Sequence, residues 1–366
     1  MRFTKDDTQK CKGAAILLMI FHHMYREVWV YSGYSINFYP LSEAGAVNLA
    51  DFCKLCVGIY AFLSAYGLTC AYRKWKESAS GFVLCRYVKM MMVFWVVYLL
   101  AVLTSFSVGR GRWELMTVYA GDEVGISGTL FYILTDAMGL AHLFHTPSLD
   151  GAWWYMSFAF AVILLIPVLN RLCDHFREEY LILASLIVPA AFGLAVEENS
   201  LIIWLPVVAL GISCARRNWL SGLMEHMEEL PAVRKLAELC GWLVLLYCLF
   251  RLRQGPLKNQ FLPLWDSLVP FLVIILLFLY INRLKGFGDI LRFFGKYSTL
   301  IYLTHGFTQM FGNLTYPFTC AWLNYTIFVA ESLVIAVALD LGLKLVRFRD
   351  LEDYVEKSLE KKFAGR

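Results

Sequence analysis

The stretch Lys12-Gly-Ala-Ala-Ile-Leu-Leu-Met-Ile-Phe-His22-His23 decides how the rest of the chain is read. It sets one cation and two imidazoles on a run that is otherwise apolar enough to enter a membrane. On an α-helix, eleven residues rise roughly 16 Å and turn through about 20° net. Lys12 and His23 therefore share one face, the cation near one surface and the imidazole about half-way through a hydrocarbon core roughly 30 Å thick. Ionisable groups at that depth are costly, and those that persist mark functional sites. The polar, basic start and the interruption by His22, His23, Arg26 and Glu27 read as a retained first span, without the cleavage pattern of a signal peptide.

Composition agrees with a membrane location. Of 366 residues, 59% are hydrophobic and only 17% charged, where a soluble domain carries about 25%. The net charge of +4 is small, and no basic run has the footprint of a nucleic-acid interface. Most of the ten cysteines, such as Cys70, Cys214, Cys240 and Cys248, stand singly in apolar segments and read as small hydrophobes. Cys53-Lys-Leu-Cys56 has CxxC spacing but no second pair, so no metal or redox centre is expected there.

Apolar runs predict an all-α bundle of about ten membrane helices, near Gly13–Tyr31, Leu49–Tyr72, Tyr87–Ser107, Gly151–Leu172, Tyr180–Val196, Leu201–Ala215, Leu239–Phe250, Leu264–Ile281, Ser298–Gly312 and Ala321–Val346. The connection from Val108 to Asp150 holds an apolar piece, Thr129 to Leu143, of re-entrant or interfacial character. With the N-terminus inside, only Arg26, Lys54, Arg110, Arg112, Arg251, Arg253 and Lys258 of the 33 Lys and Arg fall outside, so both termini are expected in the cytoplasm. Residues 1–349 read as one membrane domain. Residues 350–366 read as a cytoplasmic amphipathic tail, with Leu351, Tyr354, Val355 and Leu359 at helical spacing, lying on the inner surface or against a loop. No internal repeat of the transporter kind is visible.

Four constellations carry chemistry. His23 is suited to take a proton from a hydroxyl near neutral pH, and Glu27, one turn on, is placed to orient its ring. A histidine bonded between helices for packing is the competing reading; Lys12, His22 and Arg26 beside it favour function. Arg86 and Lys89, one turn apart at the inner end of the third span and close to Arg73, Lys74 and Lys76, can bind phosphates or simply anchor the helix. Ser298, Tyr302 and His305 share a face of the ninth span and suggest a lined cavity, although single polar groups on spans often join helices. Glu331 lies well inside the tenth span and needs a partner there. In the outer connection, His142 and His145 have HxxH spacing without a specified third ligand; they, Trp153 and Trp154 are expected at the outer mouth.

In this order, the segments resemble the membrane-bound acyltransferase 3 family. Lys12 and His23 fill the places of the family's Arg, ten residues, then His. "AFLSAYGL" (Ala61 to Leu68) resembles its Phe-Leu-Ser-Gly segment, and Arg86 and Lys89 fall where it has an Arg-rich motif. "WWYMSFAFAVILLIPVL" from Trp153 is similar to its Trp-containing fourth helix, and "FGKYSTLIYLTH" to its late stretch ending Tyr-Leu-x-His. Three departures stand out. Lys12 replaces Arg, Ala65 replaces Gly, and Ala159 and Phe160 occupy positions of a common acidic pair, leaving Glu27 or Glu331 as substitutes.

The resemblance implies an O-acyltransferase of the plasma membrane, without an appended esterase-like domain, that moves an acetyl group from acetyl-CoA to a hydroxyl of a cell-surface glycan or lipid-linked sugar. His23 and Glu27 would be catalytic. Lys12, Arg86 and Lys89 would hold the donor, while His22, Trp153, Trp154, Ser298, Tyr302 and His305 would meet the acceptor. His23 would act as general base or transient acyl carrier, and no metal is needed. The alternative is a proton-coupled transporter or flippase using His23, Glu27, Glu331 and His305 as a proton path.

Overall fold

A computed structural model describes residues 3–73, 75, 78–108, 114–120, 125–194, 200–255, 261–309 and 312–363. Among these every regular element is helical. The helices in chain order are α1 (Lys5–Tyr25), α2 (Val28–Tyr31), α3 (Glu43–Phe52), α4 (Leu55–Tyr72), α5 (Ala79–Val108), α6 (Leu115–Tyr119), α7 (Gly125–Ala137), α8 (Trp154–His175) and α9 (Glu178–Ala191). They continue with α10 (Leu201–Arg217), α11 (Trp219–Glu229), α12 (Ala232–Arg253), α13 (Leu262–Leu279), α14 (Phe287–Thr308), α15 (Gly312–Thr315), α16 (Ala321–Leu345) and α17 (Phe348–Phe363).

Five helical segments among the described residues are long and apolar enough to cross a membrane: Glu43–Tyr72, Ala79–Ser105, Gly151–His175, Leu262–Arg283 and Ala321–Leu345. The pair α10–α11, bent by 69°, makes a sixth if it is one broken span. Exposed apolar side chains such as Leu99, Leu103, Val334 and Leu341 suit an outward face in lipid, where every backbone polar group must be satisfied within the helix. The chain is a multi-pass helical membrane protein.

The polypeptide divides into two compact units. The first comprises Met1–Cys70, Val168–Thr299 and Tyr316–Val329. In it α1 is tied down along its length. Thr4 and Asp7 close a capping box at its start, Lys10 Nζ donates to the Asn282 carbonyl (3.0 Å), and Tyr325 OH donates to the Leu17 carbonyl (3.1 Å). At the other end Tyr316 OH and Tyr25 OH bond the carbonyls of Met24 and Ala321. The second unit comprises Ala71–Pro167, Leu300–Thr315 and Ala330–Arg366. Its core gathers Met91, Phe94, Val97 and Tyr98 of α5 with Tyr119, Leu149, Trp153, Met156 and Leu303.

Several expected boundaries move. The first span was read to Tyr31, but α1 ends at Tyr25, and Glu27 turns to φ −102°, ψ 109° before the short α2. α14 begins at Phe287, eleven residues before the expected Ser298, because a helix continues through residues such as Arg292 and Lys296 that end an apolar run. The apolar piece expected at Thr129 to Leu143 forms α7, shifted towards the N-terminus. The tail forms α17 and packs on α5.

Candidate functional site

The two histidines that end α1 have different surroundings. His22 is buried, and its Nδ1–H donates to the carbonyl of Ala50 at 2.7 Å, satisfying one of the last carbonyls of α3. His23 lies 100° round the helix. It is half-buried, and its ring stands 5.2 Å from that of His22, nearly perpendicular to it. His22, assigned to the acceptor from sequence, is thus committed to holding α1 against α3, and His23 is the more accessible imidazole.

Glu27 is the first extended residue after α1. The backbone leaves α1 at Arg26, and the Glu27 side chain is half exposed, 3.6 Å from the Arg26 guanidinium. Buried carboxylates come instead from α3 and α13. Arg253 Nη1 bonds Asp51 Oδ2 at 2.7 Å, its Nη2 lies 3.2 Å from Asp266 Oδ1, and Arg26 Nε stands 3.5 Å from the other Asp51 oxygen. Arg253, Asp266, Asp51 and Lys54 are all under a tenth exposed, and Arg26, Lys54 and Asp51 lie within electrostatic reach of His22. Sequence reading treated Arg26, Lys54 and Arg253 as outer-surface anchors. The signal it missed was that Asp51 and Asp266 also sit in apolar segments, where a lone carboxylate demands a cation.

At the other end of α1, Lys12 is half-buried and makes no ion pair among the described residues, while its neighbour Lys10 pairs with Asp6 at 2.7 Å.

In the second unit Arg86 and Lys89 do lie together on α5, and Glu356 of α17 joins them: Lys89 Nζ is 2.5 Å from Oε2 and Arg86 Nη1 is 3.4 Å from Oε1. Arg86 Nε is buried with no hydrogen-bond partner among the described residues. Lys74 and Lys76 lie outside the described residues, as do Arg110, Arg112 and Lys258 of the outer count.

The expected cavity face of α14 is occupied by packing. Ser298 Oγ donates to the Gly295 carbonyl, His305 Nδ1–H to that of Tyr302, and Tyr302 OH to that of Ala152 at 2.8 Å. Ser298 and His305 are almost fully buried. Trp153 is not at the outer mouth either. It is 2% exposed, packed edge-on against Phe94, with its indole N–H on the Leu303 carbonyl. Trp154 remains half-buried beside His142, whose ring is 6.4 Å from that of His145. Among the described residues no group of three or more His, Cys, Asp or Glu is arranged to hold a metal ion.

The carboxylates near the fourth-helix tryptophans are Asp136 and Asp150. Asp150 caps the turn that carries Trp153, accepting from the Ala152 amide at 2.8 Å. Asp136 accepts from Tyr119 OH, Ser148 Oγ (2.7 Å) and the Leu149 amide (2.8 Å). Burial raises its pKa to about 6, against the lowering effect of those three hydrogen bonds. A cavity of about 530 Å³ between α5, α14 and α16 is lined by Val97, Leu100, Phe307, Leu339 and neighbours. The hydroxyls of Thr104 and Thr304 on its wall bond within their own helices, so it offers room for hydrocarbon and no acid–base group.

The apolar helices make the chain a polytopic helical membrane protein. Residues 11–341 match the family described as an acyltransferase domain, and the chain belongs to that acyltransferase 3 family. The membership makes it a membrane acyltransferase. No curated protein and no solved structure matches the chain.

Proposed function

We propose that the chain is an O-acyltransferase that takes an acetyl group from acetyl-CoA on the cytoplasmic side and delivers it to a hydroxyl of a cell-surface glycan or lipid-linked sugar. In this reading the protein crosses the plasma membrane ten times with both termini inside. Helices α1, α9, α12 and α14 span together with the more apolar segments.

The observation that carries the reading is the placing of a half-buried His23 and a Lys12 that makes no ion pair among the described residues eleven residues apart on one face of α1. The cations proposed for the donor phosphates are Lys12 of α1 and, in the second unit, the Arg86–Lys89 pair of α5, each acting by charge. The neutral His23 imidazole accepts the acceptor's hydroxyl proton as its oxygen attacks the thioester carbonyl. The carbon–sulfur bond then breaks, and the leaving thiolate takes the proton back from the imidazolium. Placing the base between the two membrane surfaces lets donor and acceptor arrive from opposite sides. The Ala50 carbonyl, through His22, holds the end of α1, and Asp51 beside it lies within electrostatic reach of His22.

The test is release of free coenzyme A from radiolabelled acetyl-CoA by purified protein, wild type beside His23→Ala. Release that disappears in His23→Ala, with the variant still folded, supports the reading. Near wild-type release in His23→Ala removes the assignment. Proton-dependent uptake of a solute without thioester consumption would favour a transporter.

A further inference from the structure

Helix α17 lies beyond the residues matched by the acyltransferase family, and its packing is unusual for a surface helix. From Asp350 to Phe363 the residues drawn out of solvent are Glu352, Val355, Glu356, Leu359, Glu360 and Phe363. These share one helix face, at i, i+3, i+4, i+7, i+8 and i+11. A helix that only covered apolar surface would bury Leu351 and Tyr354, yet these are 50% and 71% exposed. Half of the inward stripe is instead acidic, with three carboxylates about 6 Å apart along the axis.

Those carboxylates meet the cations of α5. Glu356 bonds both Lys89 and Arg86. Glu352 lies within electrostatic reach of Lys89, and Cys85, next to Arg86, within reach of Glu356 and Glu360. The grip is incomplete. Arg86 is engaged end-on at 3.4 Å through Nη1, and its buried Nε has no hydrogen-bond partner among the described residues. A bidentate carboxylate or phosphate would use both nitrogens and bind more strongly.

We propose that α17 is an intrachain mimic of a polyanion: its Glu352–Glu356–Glu360 ladder occupies the Arg86–Lys89 pair, so that the phosphates of coenzyme A bind there only when the ladder is displaced from α5. The inference rests on the donor reading above. While the ladder is seated the donor site is closed, and apparent donor affinity falls by the fraction of molecules in the open state. Neutralising one rung of a partly exposed ion pair should shift that balance a few-fold, about three-fold for Glu356→Gln and about ten-fold for the triple Gln variant.

The experiment measures binding of free coenzyme A to the full-length protein in lipid nanodiscs, with hydrogen exchange of α17 in the same samples. Glu356→Gln, the triple Gln variant and Arg86→Ala/Lys89→Ala are compared with wild type, each checked for an unchanged thermal transition. Glu356→Gln is the mildest change and stands alone should the triple variant misfold. Tighter binding in Glu356→Gln, with α17 amides exchanging faster in wild type on adding coenzyme A, supports the proposal. Equal or weaker binding in Glu356→Gln, or slower α17 exchange on adding ligand, overturns it while leaving the donor site intact if Arg86→Ala/Lys89→Ala still loses binding. Coenzyme A binding that ignores Arg86 and Lys89, or is absent throughout, overturns both the donor assignment and the ladder.

Discussion

Gly295 of α14 lies so close to Gln9 of α1 that a side chain at position 295 would overlap the Gln9 main-chain carbonyl. The contact is reciprocal, since Gly13 of α1 meets the carbonyl of Leu291 on α14 in the same way. Small residues that let backbones touch are how membrane helices gain packing where no hydrophobic force drives them together. The crossing point is one residue from Lys12, so the approach of α14 fixes the part of α1 that presents that cation.

Gly295→Ala and Gly13→Ala are each expected to destabilise the protein by about 3 kcal/mol or more, because the obstacle is backbone and cannot swing away. Gly241 on α12 has open space around it, so Gly241→Ala should be neutral or stabilising by up to about 1 kcal/mol. Thermal unfolding of the three variants in detergent decides this. An unchanged transition for Gly295→Ala would mean that the helices do not cross so closely.

The Arg253 cluster gives a second test. Arg253→Ala leaves Asp51 and Asp266 buried without their principal cation and is expected to cost about 3–5 kcal/mol. Asp266→Asn removes one of the two carboxylates and should cost less, since Asp51 still holds Arg253. Because the Ala50 carbonyl beside Asp51 receives His22, Arg253→Ala should also loosen the end of α1, read as faster amide exchange from Met19 to Tyr25.

Much of the architecture was legible, because apolar runs report burial in lipid whatever the tertiary arrangement. Each expected span contains a helix, and the family assignment follows from the order of short motifs around Lys12, Ala61, Trp153 and His305. The site was legible in outline only. Sequence treats a charge as a surface marker, so Arg253 and Lys54 were counted as loop anchors although both are almost fully buried. Helical periodicity carried the first span through to Tyr31, whereas α1 ends at Tyr25 and the extended Glu27 separates it from α2. On α14, spacing put Ser298, Tyr302 and His305 on one face, but whether a polar face lines a cavity or bonds to backbone depends on its neighbour, which spacing does not encode.

Asp136 supplies a pH dependence. Burial raises its folded pKa to about 6 from an ordinary 3.8. The folded state therefore binds the proton more tightly than the unfolded state, and stability from this group is full below about pH 4 and lost as pH rises through about 6. The loss is on the order of 3 kcal/mol at most. The protection factor of the Leu149 amide, which donates to Asp136, should be higher at pH 5 than at pH 7.5. Asp136→Asn should flatten that difference. A protection factor that rises with pH would reverse the sign and refute the assignment.

Lys12 separates function from stability. It makes no ion pair among the described residues, so Lys12→Met removes a poorly solvated charge while keeping most of the side chain's apolar length. Its thermal transition should stay or rise. If Lys12 holds the donor's phosphates, KM for acetyl-CoA should increase about ten-fold or more, the loss of one charge-assisted contact. Lys12→Arg should restore most of the affinity, because a guanidinium also meets phosphate. Lys10→Met is the contrasting case. It breaks the bond to the Asn282 carbonyl and the pair with Asp6, so it should lower the transition and leave KM near wild type. A Lys12→Met protein that unfolds early but keeps its KM would place Lys12 with Lys10 among the residues that hold α1, and the donor would then rest on Arg86 and Lys89 alone.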